Sequence, residues 1–108
     1  MKRYIAILNQ TDSAPVATIL ENNIGQIVWS RASSGVYLGT LVGAFPASQT
    51  IAFCGDGQGG EEATLTTVEL PANSEDYVVV KTKDWSSENG LIESDGLLVR
   101  TVVEIRVY

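Results

Sequence analysis

Apolar and polar residues alternate along short segments of this 108-residue chain, from nearly its first residue to its last. A period of two marks a strand with one face buried. Tyr4–Leu8 opens the pattern and is apolar on both faces, which predicts a strand that is central or covered on both sides. Polar Asn9–Ser13 turns the chain, Pro15 suits a strand edge or a strand start, and Val16–Glu21 reads as the next strand. There Val16, Thr18 and Leu20 share one face, and Ala17 and Ile19 the other. Gln26–Arg31 and Val36–Val42 form the clearest hairpin, joined by Ala32-Ser33-Ser34-Gly35 with a glycine where a positive φ is needed. Gly39, in the middle of the second arm, predicts a bulge or a large neighbour lying across it, and Trp29 is the candidate.

Thr50–Cys54 reads as a strand with Ile51 and Phe53 on one face. Ala63–Leu70, rich in Thr and Val, reads as another, ended by Pro71. Tyr77–Lys83 sets Val78, Val80 and Thr82 against Tyr77, Val79, Lys81 and Lys83. Asp84–Gly96 is predicted to be the longest irregular stretch, with Leu91-Ile92 a short edge strand. Leu97–Tyr108 is predicted to be the longest strand, with Val99, Thr101, Val103, Ile105 and Val107 facing in, paired antiparallel with Tyr4–Leu8. Residues 1–108 therefore form one all-β domain, an antiparallel β-sandwich of jelly-roll-like or Ig-like type. It is expected to hold about seven to eight strands and little or no helix.

Composition narrows the chemistry. There is no His and a single Cys, Cys54, which permits no internal disulfide and no thiolate metal cluster. Cys54 lies in an apolar run and is expected to be a small buried hydrophobe. The net charge is −6, and the bases are scattered, so no stripe exists to displace counterions from nucleic acid. The apolar segment after Met1-Lys2-Arg3 is only Tyr4–Leu8, too short for a signal peptide, and nothing approaches a membrane span.

Gly55–Gly60 satisfies the G-x-G-x-x-G formula, but Glu61-Glu62 and a strand-like segment follow where a dinucleotide site needs a helix. No cofactor is expected. Asp56, Glu61 and Glu62 offer oxygen ligands for a divalent cation at a spacing that matches neither the EF-hand pattern nor the glycine-rich β-helix repeat, and solvated loop acids are the preferred reading. Without His, and with no base beside Ser33-Ser34 or Ser86-Ser87, no enzyme activity is expected. Aromatic residues are the candidates for binding a partner: Trp85 in a polar run, Tyr108 at the end of a long strand, and Tyr37. Trp85 either plugs an open end of the sandwich or anchors a partner, whereas Trp29 alternates with Ile27 and is read as core.

Tyr4–Gln10, Ala14–Asn22, Gly35–Leu41 and the ending Glu104-Ile105-Arg106-Val107-Tyr108 together resemble small β proteins encoded by tailed bacteriophages and prophages. The resemblance implies a structural role: a capsid decoration protein, a head-fibre piece or a tail accessory. Such a protein would be assembled into the virion in the host cytoplasm and would contact copies of itself, as a trimer, and other virion proteins. The alternative is a carbohydrate-binding sandwich that uses Trp85 and Tyr37 as stacking platforms.

Overall fold

The computed structural model describes residues 1–55, 64–86, 88 and 90–108. Among them lie nine strands and no helix: β1 (Lys2–Asn9), β2 (Val16–Asn22), β3 (Val28–Ser33), β4 (Val36–Thr40), β5 (Thr50–Cys54), β6 (Thr64–Glu69), β7 (Tyr77–Ser86), β8 (Gly90–Glu93) and β9 (Thr101–Val107). All pair antiparallel, in two sheets. One has the order β2-β1-β9-β5; the other runs β3-β4-β7-β6, with β8 added to β7. The all-β sandwich expected from the alternation is the observed architecture.

The alternation supplies the core. Tyr4, Ala6 and Leu8 on β1 and Val103 and Ile105 on β9 meet Trp29, Tyr37, Val78 and Val80 of the facing sheet. Phe45 enters from the β4–β5 connection, and Leu98 enters from the segment before β9. The two terminal strands pair as expected, with Tyr4 opposite Ile105 and Leu8 opposite Thr101. β1 is central, although its outer side chains Ile5 and Ile7 are only half-buried because no third layer covers them.

Three expectations need correction. The nine strands exceed seven to eight; the short edge strand expected at Leu91-Ile92 is present, and the departure is that the residues just after Lys83 are paired rather than irregular. β7 runs on to Ser86, and β8 returns along it with Trp85 opposite Leu91. The last strand begins at Thr101 rather than Leu97, since Arg100 takes a φ of 47° that interrupts the extended run. Arg100 is fixed there by its backbone N–H, which donates to Asn9 Oδ1 at 2.9 Å. Leu97 and Leu98 are buried instead of alternating.

Gly39 sits opposite Trp29, as its place in mid-strand predicts. A Cβ there would lie 2.9 Å from Trp29 Cη2 and 3.1 Å from Ile27 Cγ2. Gly39→Ala would gain a little from a stiffer unfolded chain, but it must push the indole off its seat. The net expectation is a loss of about 1 kcal/mol, or about 4 °C in Tm. A near-UV circular dichroism melt reads both the shift and the displaced Trp29; an unchanged aromatic spectrum would count against the contact.

Candidate binding surfaces at the open side of the sandwich

The two long sides of the sandwich differ. On one side β5 and β6 come together, and the Cys54 thiol lies 3.6 Å from the carbonyl oxygen of Thr66. Cys54 is half-buried and packs against the core rather than inside it. On the other side the sheets end on β2 and β3, and a cleft of about 550 Å³ opens between these edges. Pro15, Ala17 and Ile19 form one wall, Ile27 and Trp29 the other, and Tyr4 the floor. The Trp29 Nε1–H donates to the Tyr4 hydroxyl at 3.0 Å, which satisfies the one polar atom of the indole. Burial pushes the Tyr4 hydroxyl pKa up, and the Trp29 hydrogen bond opposes it.

The two edge strands that border this cleft are unusually apolar for a surface. Val16 is 68% exposed, Leu20 58%, Ile19 48% and Val28 60%. The sequence explains the first three: after Asn9 the strand returns along β1 with nothing beyond it, and Leu20 is extruded by a bulge at Ile5/Ala6. Around the corner, the outer face of the same sheet carries Ile51, Phe53 and Val102, each exposed. A charged ladder crosses that face: Arg3 Nη1 is 3.5 Å from Glu21 Oε1, and Arg3 Nε is 3.7 Å from Glu104 Oε2. Arg106 Nε also donates to Glu104 Oε2, and its guanidinium lies 5.2 Å from the centre of the Phe53 ring. The ladder is exposed enough that each pair contributes little to stability. Its effect is to hold four side chains in place on that face.

The three aromatic candidates are not brought together. Tyr37 is fully buried, so its ring cannot serve as a platform for a partner or a sugar, contrary to the expectation from sequence. Its strand alternates Tyr37 and Gly39 inward, opposite Val80 and Val78. Trp85 is exposed on the distal half of β7, at an outward position opposite Leu91. It therefore plugs no end of the sandwich. Tyr108 follows β9 and is exposed. Its backbone N–H donates to Gln49 O at 2.8 Å, and it borders a smaller hollow of about 330 Å³ with Met1, Ile24 and Pro46. Asp56, Glu61 and Glu62, and the glycine-rich loop after Gly55, lie outside the described residues. Among the described residues, no group of three or more His, Cys, Asp or Glu side chains converges.

One cluster was not read from the sequence. The Asp95 carboxylate accepts from Arg31 Nε at 3.0 Å and Nη2 at 2.8 Å, and from the Gly35 N–H at 3.0 Å. The Tyr37 hydroxyl lies 2.6 Å from Asp95 Oδ1 and 2.7 Å from Gln10 Oε1, its single proton between two acceptors. Gly96 N–H also donates to Gln10 Oε1, and Gln10 Nε2 donates to Ser13 O. The Arg31 guanidinium, above all, lowers the Asp95 pKa to about 2. Tyr37 is raised well above its usual value, first by burial and then by the Asp95 carboxylate. The available signal was Arg31, an arginine in phase with Ile27 and Trp29 on the inward side of β3. Every partner in the cluster belongs to the chain itself, so it reads as a clasp between loop and hairpin. It leaves the open edge as the stronger candidate surface.

No family model, no curated protein and no solved structure matches this chain.

Proposed function

We propose that the chain is a non-enzymatic structural protein of a tailed bacteriophage or prophage particle, an accessory that docks through the uncovered apolar side of its β2-β1-β9-β5 sheet. The observation that carries this reading is the gathering of Val16, Ile19 and Leu20 on one free edge, with Ile51, Phe53 and Val102 also exposed on the outer face of the same sheet. Uncovered apolar surface on a strand edge is normally blunted in a protein that works alone. In a protein that works in an assembly, the same surface is the contact. The resemblance of the strand motifs to phage β proteins supplies the kind of assembly: capsid, head fibre or tail, with copies of itself and other virion proteins as partners. Burial of Tyr37 removes one of the two platforms that a carbohydrate-binding module would use.

Mass spectrometry of gradient-purified particles from the strain that encodes the chain tests the proposal. The chain is expected in the particle fraction at a fixed ratio to the major capsid or tube protein. A chain found only in the soluble lysate, with saturable binding on a glycan array, would overturn it.

A further inference from the structure

We infer that β2 pairs antiparallel with β2 of a second copy of this chain, about a two-fold axis at Thr18, joining the two four-stranded sheets into one. The inference rests on the reading of the β2 edge as a docking surface and names its occupant. It begins with where the backbone of β2 points. Asn23 N–H donates to Arg3 O, and Arg3 N–H donates to Asn23 Oδ1, so the odd residues of β1 turn their polar groups toward β2. Gln10 N–H donates to Leu98 O, so the even residues turn toward β9. The register then assigns Val16, Thr18 and Glu21, opposite Asn9, Ile7 and Ile5, as the residues bonded to β1. Ala17 and Ile19, opposite Leu8 and Ala6, are left with N–H and C=O groups directed outward at the free edge.

A two-fold at Thr18 sets Ala17 of each chain opposite Ile19 of the other, the pairing in which both residues have free polar groups. Four backbone hydrogen bonds form, and none inside either chain is broken. Side-chain size is complementary in the same register, a methyl beside a sec-butyl group. Val16 lies across from Leu20 of the second copy, so the most exposed apolar residues of the edge cover each other. Charge fits as well. Ala14 through Leu20 carries no ionisable group, and Glu21, the only acid in the strand, falls opposite Pro15 of the second copy rather than opposite another carboxylate. The register is bounded: Pro15 has no N–H to donate, and the bulge at Leu20 ends regular pairing at the other side. A generic partner strand would not need these limits to coincide with its own.

The axis stands perpendicular to the joined sheet, so the second layer of each copy lies on the same side. The two clefts, each floored by Tyr4, then open toward each other and close into one shared interior. A two-fold edge pair makes a dimer, not the trimer expected from sequence. The contact is small, on the order of 400 Å² per protomer, about half of a standard interface. The expected dissociation constant is accordingly on the order of 10–100 μM.

Disulfide trapping tests both the contact and its register. At the axis the two Thr18 residues form a non-hydrogen-bonded pair with Cα atoms about 4.5 Å apart, inside the range a disulfide spans. In a Cys54→Ala background, Thr18→Cys at about 100 μM should be oxidised to a covalent dimer at least tenfold faster than Ser48→Cys, which lies in an exposed loop. Ala17→Pro removes only an outward N–H. It should weaken the wild-type dimer at least tenfold in sedimentation velocity while its melting temperature stays within about 3 °C. Equal oxidation rates for the two cysteine variants would overturn the inference. So would a wild-type chain that stays monomeric at millimolar concentration, or a dimer that survives Ala17→Pro. These measurements use the isolated chain, so their failure leaves particle incorporation to be judged separately, and the reverse also holds.

Discussion

Gly35→Ala is expected to be the most damaging single-methyl change in this protein. Gly35 ends the turn between β3 and β4 with a φ of 69°, a conformation that costs an L-residue about 1 kcal/mol or more. Space is the larger problem. A Cβ would stand 2.5 Å from the carbonyl oxygen of Thr82 and 2.6 Å from the backbone nitrogen of Ser94. These are main-chain atoms at a junction: the Thr82 N–H donates to Gly35 O, and the Ser94 N–H donates to Thr82 O. β4 and β8 meet end to end here along one edge of β7, so making room means moving three segments at once. Strain and overpacking together should cost about 3–4 kcal/mol, a large share of the 5–15 kcal/mol that holds a typical domain, and lower Tm by more than about 10 °C. Gly43→Ala is the matched control, because Gly43 has a φ of 70° and a Cβ there would meet nothing within 4 Å. It should lose only the conformational part, about 1 kcal/mol. Thermal melts that gave the two variants the same Tm would show that the junction is not tight.

Period-two patterning explains why most of this fold was legible. Wherever one face is buried, as in β1, β4, β7 and β9, a one-residue slip would turn every side chain over, so the inward set can be read directly. The pairing of Gly39 with Trp29 was legible for the same reason: a missing side chain in mid-strand implies a neighbour that occupies its space. The misreadings have separate causes. Val99 continues the alternation of β9, but Arg100 leaves the extended region, and nothing in the local pattern marks that break. The distal half of β7 keeps the inward phase with polar residues, Asp84 and Ser86, which an apolar alternation does not mark. Tyr37 was misjudged as a surface residue although its alternation with Gly39 and Leu41 already placed it with the core face. Its hydroxyl is satisfied away from water, by Gln10 and Asp95. The Arg31–Asp95 and Gln10–Gly96 contacts span 64 and 86 residues of sequence, distances over which periodicity carries no information.

That clasp should dominate the response of the protein to acid. Asp95→Ala leaves the Gly35 N–H without its acceptor, strips the Tyr37 hydroxyl of one of its two, and releases Arg31. Removing one partner of a charged hydrogen-bonded group costs about 1–3 kcal/mol per site. The Asp95 side chain is 24% exposed to screening water, so a total of about 2–3 kcal/mol is expected at pH 7, or about 8–12 °C in Tm. The pH dependence separates this from simple loss of packing. Asp95 has a folded pKa of about 2, below the ordinary 3.8, so the unfolded chain takes up the proton first as the pH falls. Its contribution is therefore complete above about pH 5 and is lost as the pH drops from about 4 through 2. Tyr37 runs the other way: with a folded pKa above its usual 10, its contribution is complete below pH 10 and fades as the pH rises beyond that. Urea denaturation of the parent chain and of Asp95→Asn, which keeps the shape but not the charge, should thus give curves that are well separated at pH 7 and converge toward pH 2. If the gap between them stays constant across that range, the carboxylate is not what the clasp depends on.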